Sequence, residues 1–359
     1  MKKWSQNLAG YFEQRLKLSG LASFARKKTV PEHGYSFWYF FGGICLFLFI
    51  LQVVTGIFLL LYYKPSAEGA HESILFIMSH VKFGWLIRSV HSWSANLLMG
   101  IIFIHMFSTF FLKAYRKPRE LTWVSGFFLL VLFMAFGFSG YLLPWNELSY
   151  FATKVGTDIV GSLPLIGKAL KTFVLGGQEV SPATLSRFFW FHIAALPALT
   201  VLILGLHIWL VQVLGMSVPG RVKPETVREM PFFPNFLLKD ALGWILVLVL
   251  VGVLCVFFPW ETGAKADPLA SAPVGIKPEW YFTFMFTTLK LIPPHIFFIS
   301  GEVLGIMAFL MGGLFWLLVP YLDRKANRGK SSPVFTGIGV VVLLYIMVMT
   351  AVTYLLPRL

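Results

Sequence analysis

Apolar positions in this 359-residue chain gather into long unbroken runs, not into the one-sided stripes of soluble helices. Seven runs, at about residues 36–62, 91–112, 122–143, 188–214, 239–259, 301–321 and 333–356, are long enough to cross a hydrocarbon layer of roughly 30 Å at about 1.5 Å per residue. They predict an all-α polytopic membrane protein with seven spans. Before the first run, Trp4, Leu8, Tyr11, Phe12, Arg15 and Leu16 predict an amphipathic helix lying on the membrane surface within residues 1–35. That segment lacks a cleavable signal pattern, so the first span is expected to remain in the mature protein.

The polar breaks divide the chain. Residues 215–238, "GMSVPGRVKPETVREMPFFPNFLL", rich in Pro, Gly and charge, separate a four-span domain (36–214) from a three-span domain (239–359) and are expected to form a cytoplasmic linker. Two long segments, 144–187 and 259–300, fall on the opposite face. The second holds six prolines yet is too apolar for disorder, which marks it as functional.

Charge orients the spans. With the amino terminus inside, nineteen Lys and Arg lie on the cytoplasmic side and eleven outside, although the outer loops are longer. The net charge of +14 follows those cytoplasmic loops, which excludes nucleic-acid binding as its cause. Composition agrees: 57% of residues are hydrophobic and 13% charged, against about a quarter charged in soluble domains.

Two spans carry paired histidines. His91 and His105 lie fourteen residues apart on the second, so both rings face within about 40° of one direction at depths about 21 Å apart. His192 and His207 lie fifteen apart on the fourth, with Pro197 between; a proline kink or one-turn bulge must absorb the extra residue. The first and third spans carry glycines at the same fourteen-residue interval, Gly42/Gly56 and Gly126/Gly140, where a planar group or another backbone can approach closely. A single membrane histidine is commonly an interhelical hydrogen bonder or a proton relay. Four in two matching pairs predict a four-helix bundle holding two bis-histidine b-type haems, His91/His192 near the outer face and His105/His207 near the inner face. Such six-coordinate centres transfer electrons and do no oxygen chemistry.

Arg88 and Arg187, at the outer ends of the histidine spans, are expected to pair with haem propionates. His33, His71, His80 and His295 are expected at the surface, His80 and His295 as candidates for an outer proton path. Cys45 and Cys255 form no CxxC or CxxCH motif, so iron–sulfur or covalently bound c-type centres must come from partner chains.

In the second outer segment, "KPEWYFTF" places Glu279 between Pro278 and the aromatics Trp280 and Tyr281. A carboxylate in an apolar aromatic pocket has a raised pKa and can take up a proton. "GYLLPW" after the third span supplies Tyr141, Pro144 and Trp145 on the same face. Together with "FGWLIRSVHSWSA" (83–95), "KPRELTWVSG" (117–126), "LSRFFWFH" (185–192) and "PEWYF" (278–282), these stretches resemble cytochrome b of the Rieske/cytochrome b quinol oxidoreductases over almost the full length. Spans one to four are similar to the shorter, chloroplast- and Firmicute-type cytochrome b, and spans five to seven to the subunit IV-like partner usually encoded separately. The chain thus resembles a fusion of the two.

The resemblance implies a Q-cycle. Quinol would be oxidised at an outer site formed by Pro144, Trp145, Pro278, Glu279, Trp280 and Tyr281, with Glu279 accepting a proton and Tyr281 and Tyr141 beside it. Electrons would divide between a Rieske iron–sulfur protein and the two haems, and quinone would be reduced at the inner face. The resemblance further implies a c-type cytochrome as acceptor, a homodimer among membrane lipids, and a prokaryotic cytoplasmic membrane. Three positions depart from the pattern. Phe40 stands where the shorter relatives attach a third haem covalently, with Cys45 five residues on, so no covalent haem is expected; Ser108 and Gln212 replace arginines after the inner ligands, with Lys113 or Arg116 as substitutes. Two other readings compete: a dihaem anchor of a dehydrogenase or hydrogenase, which needs no outer quinol loop, and a proton-coupled transporter, which leaves the shared interval unexplained.

Overall fold

The computed structural model describes residues 10–17, 19, 20, 23 and 27–356. Residues 10–16 are helical, as expected for an amphipathic helix; Trp4 and Leu8 lie outside the described residues. Strand β1 (Thr29–Glu32) pairs antiparallel with β2 (Arg228–Pro231) of the linker, Val30 opposite Met230. This pairing brings the linker back beneath the start of the first span.

Among the described residues, seven helices are long and apolar enough to cross a membrane. In chain order, the helices are α1 (Phe40–Leu60), α2 (Ala70–Ser79), α3 (Gly84–Phe111), α4 (Glu120–Leu142), α5 (Glu147–Gly161), α6 (Gly167–Leu175), α7 (Pro182–Leu214), α8 (Leu237–Phe257), α9 (Trp280–Leu291), α10 (Gly301–Leu322) and α11 (Pro333–Leu355). The spans α1, α3, α4, α7, α8, α10 and α11 match the seven expected runs. Helices α2, α5, α6 and α9 were not legible as elements, because they are short and lie among polar loop residues of the outer face.

α1, α3, α4 and α7 form the bundle. Its core contains Leu48, Leu98, Met99, Leu129, Leu130 and Phe133, with Val251 and Cys255 of α8 closing one side. Residues such as Val201, Leu202, Leu246 and Val341 stay exposed on the outward faces, as a lipid solvent requires. Within α7, residues Phe191–Ala195 form a π-helical turn, in which Leu196 N–H donates to Phe191 O five residues back. Pro197 has no N–H to continue the regular ladder, so the wider turn forms just before it. One extra residue is thereby absorbed between His192 and His207.

The cytoplasmic end joins the two halves through aromatics. Phe110 stacks on Trp316 at 4.4 Å, and Trp123 Nε1 donates to Trp316 O at 3.0 Å. Beside them Asp323, 1% exposed, accepts from Tyr115 Oη at 2.7 Å, Ser332 Oγ at 2.8 Å and the Ala326 amide at 3.1 Å. A buried carboxylate is tolerable only when its lone pairs are filled in this way. Asp323→Ala, which strands three donors at once, is expected to cost about 3–5 kcal/mol, and Tyr115→Phe about 1–2 kcal/mol. The measurement is the loss of monodisperse protein on heating in detergent, with the larger drop in midpoint temperature for Asp323→Ala.

Candidate functional site: paired histidines and a buried outer carboxylate

All four paired histidines lie inside the bundle, and each faces one of the four interval glycines. A methyl group added at Gly42 would lie 3.3 Å from His105 Cε1, at Gly56 3.4 Å from His91 Cε1, at Gly126 3.2 Å from His207 Cε1, and at Gly140 2.6 Å from His192 Cε1. The helix directions explain the matching. α1 and α4 run outward while α3 and α7 run inward, so Gly56 and Gly140 meet the outer histidines and Gly42 and Gly126 the inner ones. The π-helical turn lets His192 and His207, fifteen residues apart, meet glycines fourteen apart.

The His91 and His192 ring centroids are 6.4 Å apart, with the planes at 69°. That separation admits one metal atom between two ring nitrogens, each at the roughly 2 Å of a metal–imidazole bond. His105 and His207 interact electrostatically one level below. Among the described residues no group of three or more His, Cys, Asp or Glu side chains converges as a metal site. Each pair could supply at most two ligands to a metal, so a six-coordinate shell there would need a planar group such as a porphyrin for the rest.

Hydroxyl groups orient three of the rings. His91 Nδ1 lies 2.9 Å from Thr55 Oγ1, His207 Nδ1 3.0 Å from Ser125 Oγ and His192 Nδ1 3.2 Å from Ser139 Oγ. Each hydroxyl already donates its one proton to a carbonyl of its own helix: Thr55 to Leu51 O, Ser125 to Thr122 O, Ser139 to Phe136 O. The hydroxyl must then accept from Nδ1–H, which leaves the Nε2 lone pair free for a metal. His105 Nδ1 has no hydrogen-bond partner.

On the outer face, Glu279 immediately precedes α9, and burial pushes its carboxyl up to about 7. Tyr141, Tyr281 and Tyr354 interact with it electrostatically. Burial and the Glu279 charge also push the Tyr281 phenol above its ordinary value, and its hydroxyl lies against Gly137 of α4. Trp280 Nε1 donates to Asn96 Oδ1 of α3 at 3.0 Å, five residues beyond His91. Pro278 lies half-buried before Glu279.

Other expected site residues sit elsewhere. Trp145, 2% exposed, packs edge-on against Tyr150 at 5.5 Å, and its carbonyl accepts from Ala266 N at 3.0 Å. With the adjacent Pro144 it braces the turn after α4. Arg88 donates to Trp260 O at 2.7 Å and Glu261 O at 3.1 Å, tying the outer segment to α3. Arg187 donates to Phe173 O in the last turn of α6. Both guanidiniums anchor outer-face backbone. His71 is likewise not at the surface: it is 6% exposed, with Nε2 3.0 Å from Gly263 O. His80 and His295 are exposed, and His33 Nε2 lies 2.6 Å from Tyr39 Oη.

At the inner face Ser108 donates to His105 O at 2.8 Å, and Lys28 reaches Gln212 Oε1. Lys113 packs over the Phe110 ring at 4.7 Å, and Arg116 donates to Val218 O, so both turn toward the end of the second half and the linker. Cys45 packs against the bundle core and Cys255 within it. Sequence reasoning missed Asp240. It is buried in the first turn of α8 with Oδ1 unpartnered, and it lies against Gly43, next to the glycine that faces His105. A carboxylate just inside an apolar span was the available signal.

The family description Cytochrome b/b6/petB matches residues 26–215, and Cytochrome b(C-terminal)/b6/petD matches residues 265–357. The chain belongs to the cytochrome b/b6 family. It is 50% identical to a cytochrome bc complex cytochrome b subunit of Chlorobaculum thiosulfatiphilum, over 97% of this chain and 81% of that protein. Cytochrome b6 of Heliobacterium mobile is 42% identical, over 58% of this chain and 99% of its own length. A solved structure titled Hyperthermophilic respiratory Complex III superposes with a TM-score of 0.85 at 30% identity, over 96% of this chain and 91% of that one. The chain is an integral membrane protein, a subunit of a bc-type complex, and its family binds b-type haems.

The tightest glycine contact should be the least replaceable. Gly140→Ala, with 2.6 Å to His192, is expected to lose haem b per polypeptide in a pyridine haemochrome assay, while Gly56→Ala, with 3.4 Å to His91, retains most of it.

Proposed function

We propose that this cytochrome b subunit oxidises quinol at its outer face beside Glu279 and reduces quinone at its inner face. The two buried histidine pairs, stacked across one bundle below a buried outer carboxylate, carry this reading. His91 and His192 would hold the outer b-type haem and His105 and His207 the inner one, both closed to oxygen by two imidazoles. When bound, the haems supply a two-centre path for single electrons across the membrane, one leg of a Q-cycle.

The chain's own residues handle protons and position. Glu279, poised near 7, accepts a proton from the quinol hydroxyl as quinol gives up its electrons one at a time. Tyr281, whose phenol is pushed upward, stays protonated and serves with Tyr141 as a pocket wall and hydrogen-bond donor. Pro278 and the Asn96-anchored Trp280 fix the Glu279 backbone, while Pro144 and Trp145 hold the opposite turn in place. Quinol oxidation releases two protons outward. Quinone reduction takes up two from the cytoplasm, and the Asp240 carboxyl, which lies against Gly43 with Oδ1 unpartnered, would serve as a proton donor on that side.

The other electron of each quinol would go to a Rieske iron–sulfur protein and on to a c-type cytochrome, within a homodimeric complex in a bacterial cytoplasmic membrane. The four-span and three-span portions, 36–214 and 239–359, joined by 215–238, would act as the haem-binding and quinol-loop domains of one fused subunit.

Glu279→Gln tests the outer role. Glu279 works as a base only when ionised, so quinol oxidation by the native complex should rise as pH passes upward through about 7. The Gln variant should run at least about tenfold slower, lose that step, and keep its visible haem spectrum; unchanged turnover would remove Glu279 from the mechanism. Asp240→Asn should leave haem reduction by quinol intact and slow reoxidation by quinone, read as the α-band decay after a quinol pulse.

A further inference from the structure

In three of the four glycine–histidine contacts the residue before the glycine is a hydroxyl acceptor: Thr55 before Gly56, Ser125 before Gly126 and Ser139 before Gly140. In the fourth it is Phe41 before Gly42, and His105 Nδ1 is the one ring nitrogen of the four left without a partner. The comparison is internally controlled. Phe41 occupies in α1, relative to Gly42 and His105, the place that Thr55 occupies fourteen residues later relative to Gly56 and His91. Instead of facing the imidazole with a polar atom, Phe41 stacks on Trp38 at 5.4 Å and meets Phe37 edge-on at 5.5 Å.

We propose that the residue preceding each interval glycine is a positioning and tuning residue for the histidine it faces, and that Phe41, by withholding an acceptor from His105, makes the inner histidine pair the weaker electron donor to its metal. The inference rests on the haem-ligand assignment made above. An Nδ1–H that donates to oxygen gains imidazolate character, which makes Nε2 a stronger donor and favours oxidised iron. The outer pair has two such hydrogen bonds, at 2.9 and 3.2 Å, and the inner pair one, at 3.0 Å. Among the described residues no other protein atom compensates at His105. The inner centre is thereby biased toward the reduced state relative to the outer one. Electrons entering at the outer face then move inward with the gradient, set here by one aromatic residue in α1.

The test is a redox titration of the visible α-band on the purified complex, comparing wild type with Phe41→Ser and Thr55→Val. Phe41→Ser supplies His105 with the missing acceptor and should shift the higher-potential transition downward, leaving the lower one in place. Thr55→Val removes the acceptor from His91 at nearly constant volume and should shift the lower-potential transition upward, leaving the higher one in place. Opposite shifts in different transitions support the proposal, since a general loosening of the bundle would move both together. Unmoved transitions in both variants, or parallel shifts of both transitions, overturn it. Should Phe41→Ser lose its haem, Thr55→Val decides alone, and an unmoved lower transition is then sufficient to overturn it. Absence of any α-band in the wild type would instead refute the underlying ligand assignment.

Discussion

Four imidazoles packed against four glycines set the spacing of the whole bundle. The ring at Gly140 leaves no room even for a methyl group, and at Gly42, Gly56 and Gly126 a methyl would already touch the ring, so α1 and α4 approach α3 and α7 closely at two levels. Membrane helices have little hydrophobic force to draw them together, and small residues at the contact let dispersion and polar contacts do so. The same contacts leave the middle of the bundle short of side-chain volume, which a flat conjugated group can fill. Packing and cofactor capacity therefore share one cause, and the fourteen-residue interval is its trace in the sequence.

The interval survives an irregularity. An extra residue between His192 and His207 would turn one ring by about 100° on a regular helix. The π-helical turn at Phe191–Ala195 takes it up beside Pro197, so both rings point at α4. A local departure from ideal geometry is here the condition for a regular site, which is how single π-turns are used near functional residues elsewhere.

The seven spans, the histidine pairs and the outer carboxylate were legible because each is a local sequence signal: a long apolar run, an ionisable residue within one, or a carboxylate among aromatics. The glycines were legible as close-approach positions, but not their partners, since an interval alone cannot say whether an imidazole or a planar ligand lies opposite. Thr55, Ser125 and Ser139 were invisible, because a hydroxyl in an apolar helix commonly bonds its own backbone and only the fold reveals the second partner. His71, expected at the surface, is buried against the Gly263 carbonyl, and the backbone contacts of Arg88 and Arg187 were not legible either. Those acceptors are backbone carbonyls, which carry no side-chain signature. Asp240 was readable in principle and was passed over for its place at the end of a charged linker.

Those backbone contacts explain how two portions of the chain act as one. Across the membrane interior the portions meet through apolar packing, as α8 does against α1 and α3. At the outer face, Arg88 holds Trp260 and Glu261, Trp93 Nε1 donates to Phe258 O at 2.7 Å, and Asn146 Nδ2 donates to Thr262 O at 2.8 Å. At the inner face, Tyr115 holds Asp323 and Trp123 holds the Trp316 carbonyl. Directional bonds are thus placed at the two interfaces, where the chain leaves regular helix and its backbone groups need partners. The covalent linker adds little to this register, since β1 and β2 already pin it to the start of α1. A relative that matches over 99% of its own length but only 58% of this chain is then physically reasonable: the junction is made by side chains at both faces, and the peptide connection between the portions can be present or absent.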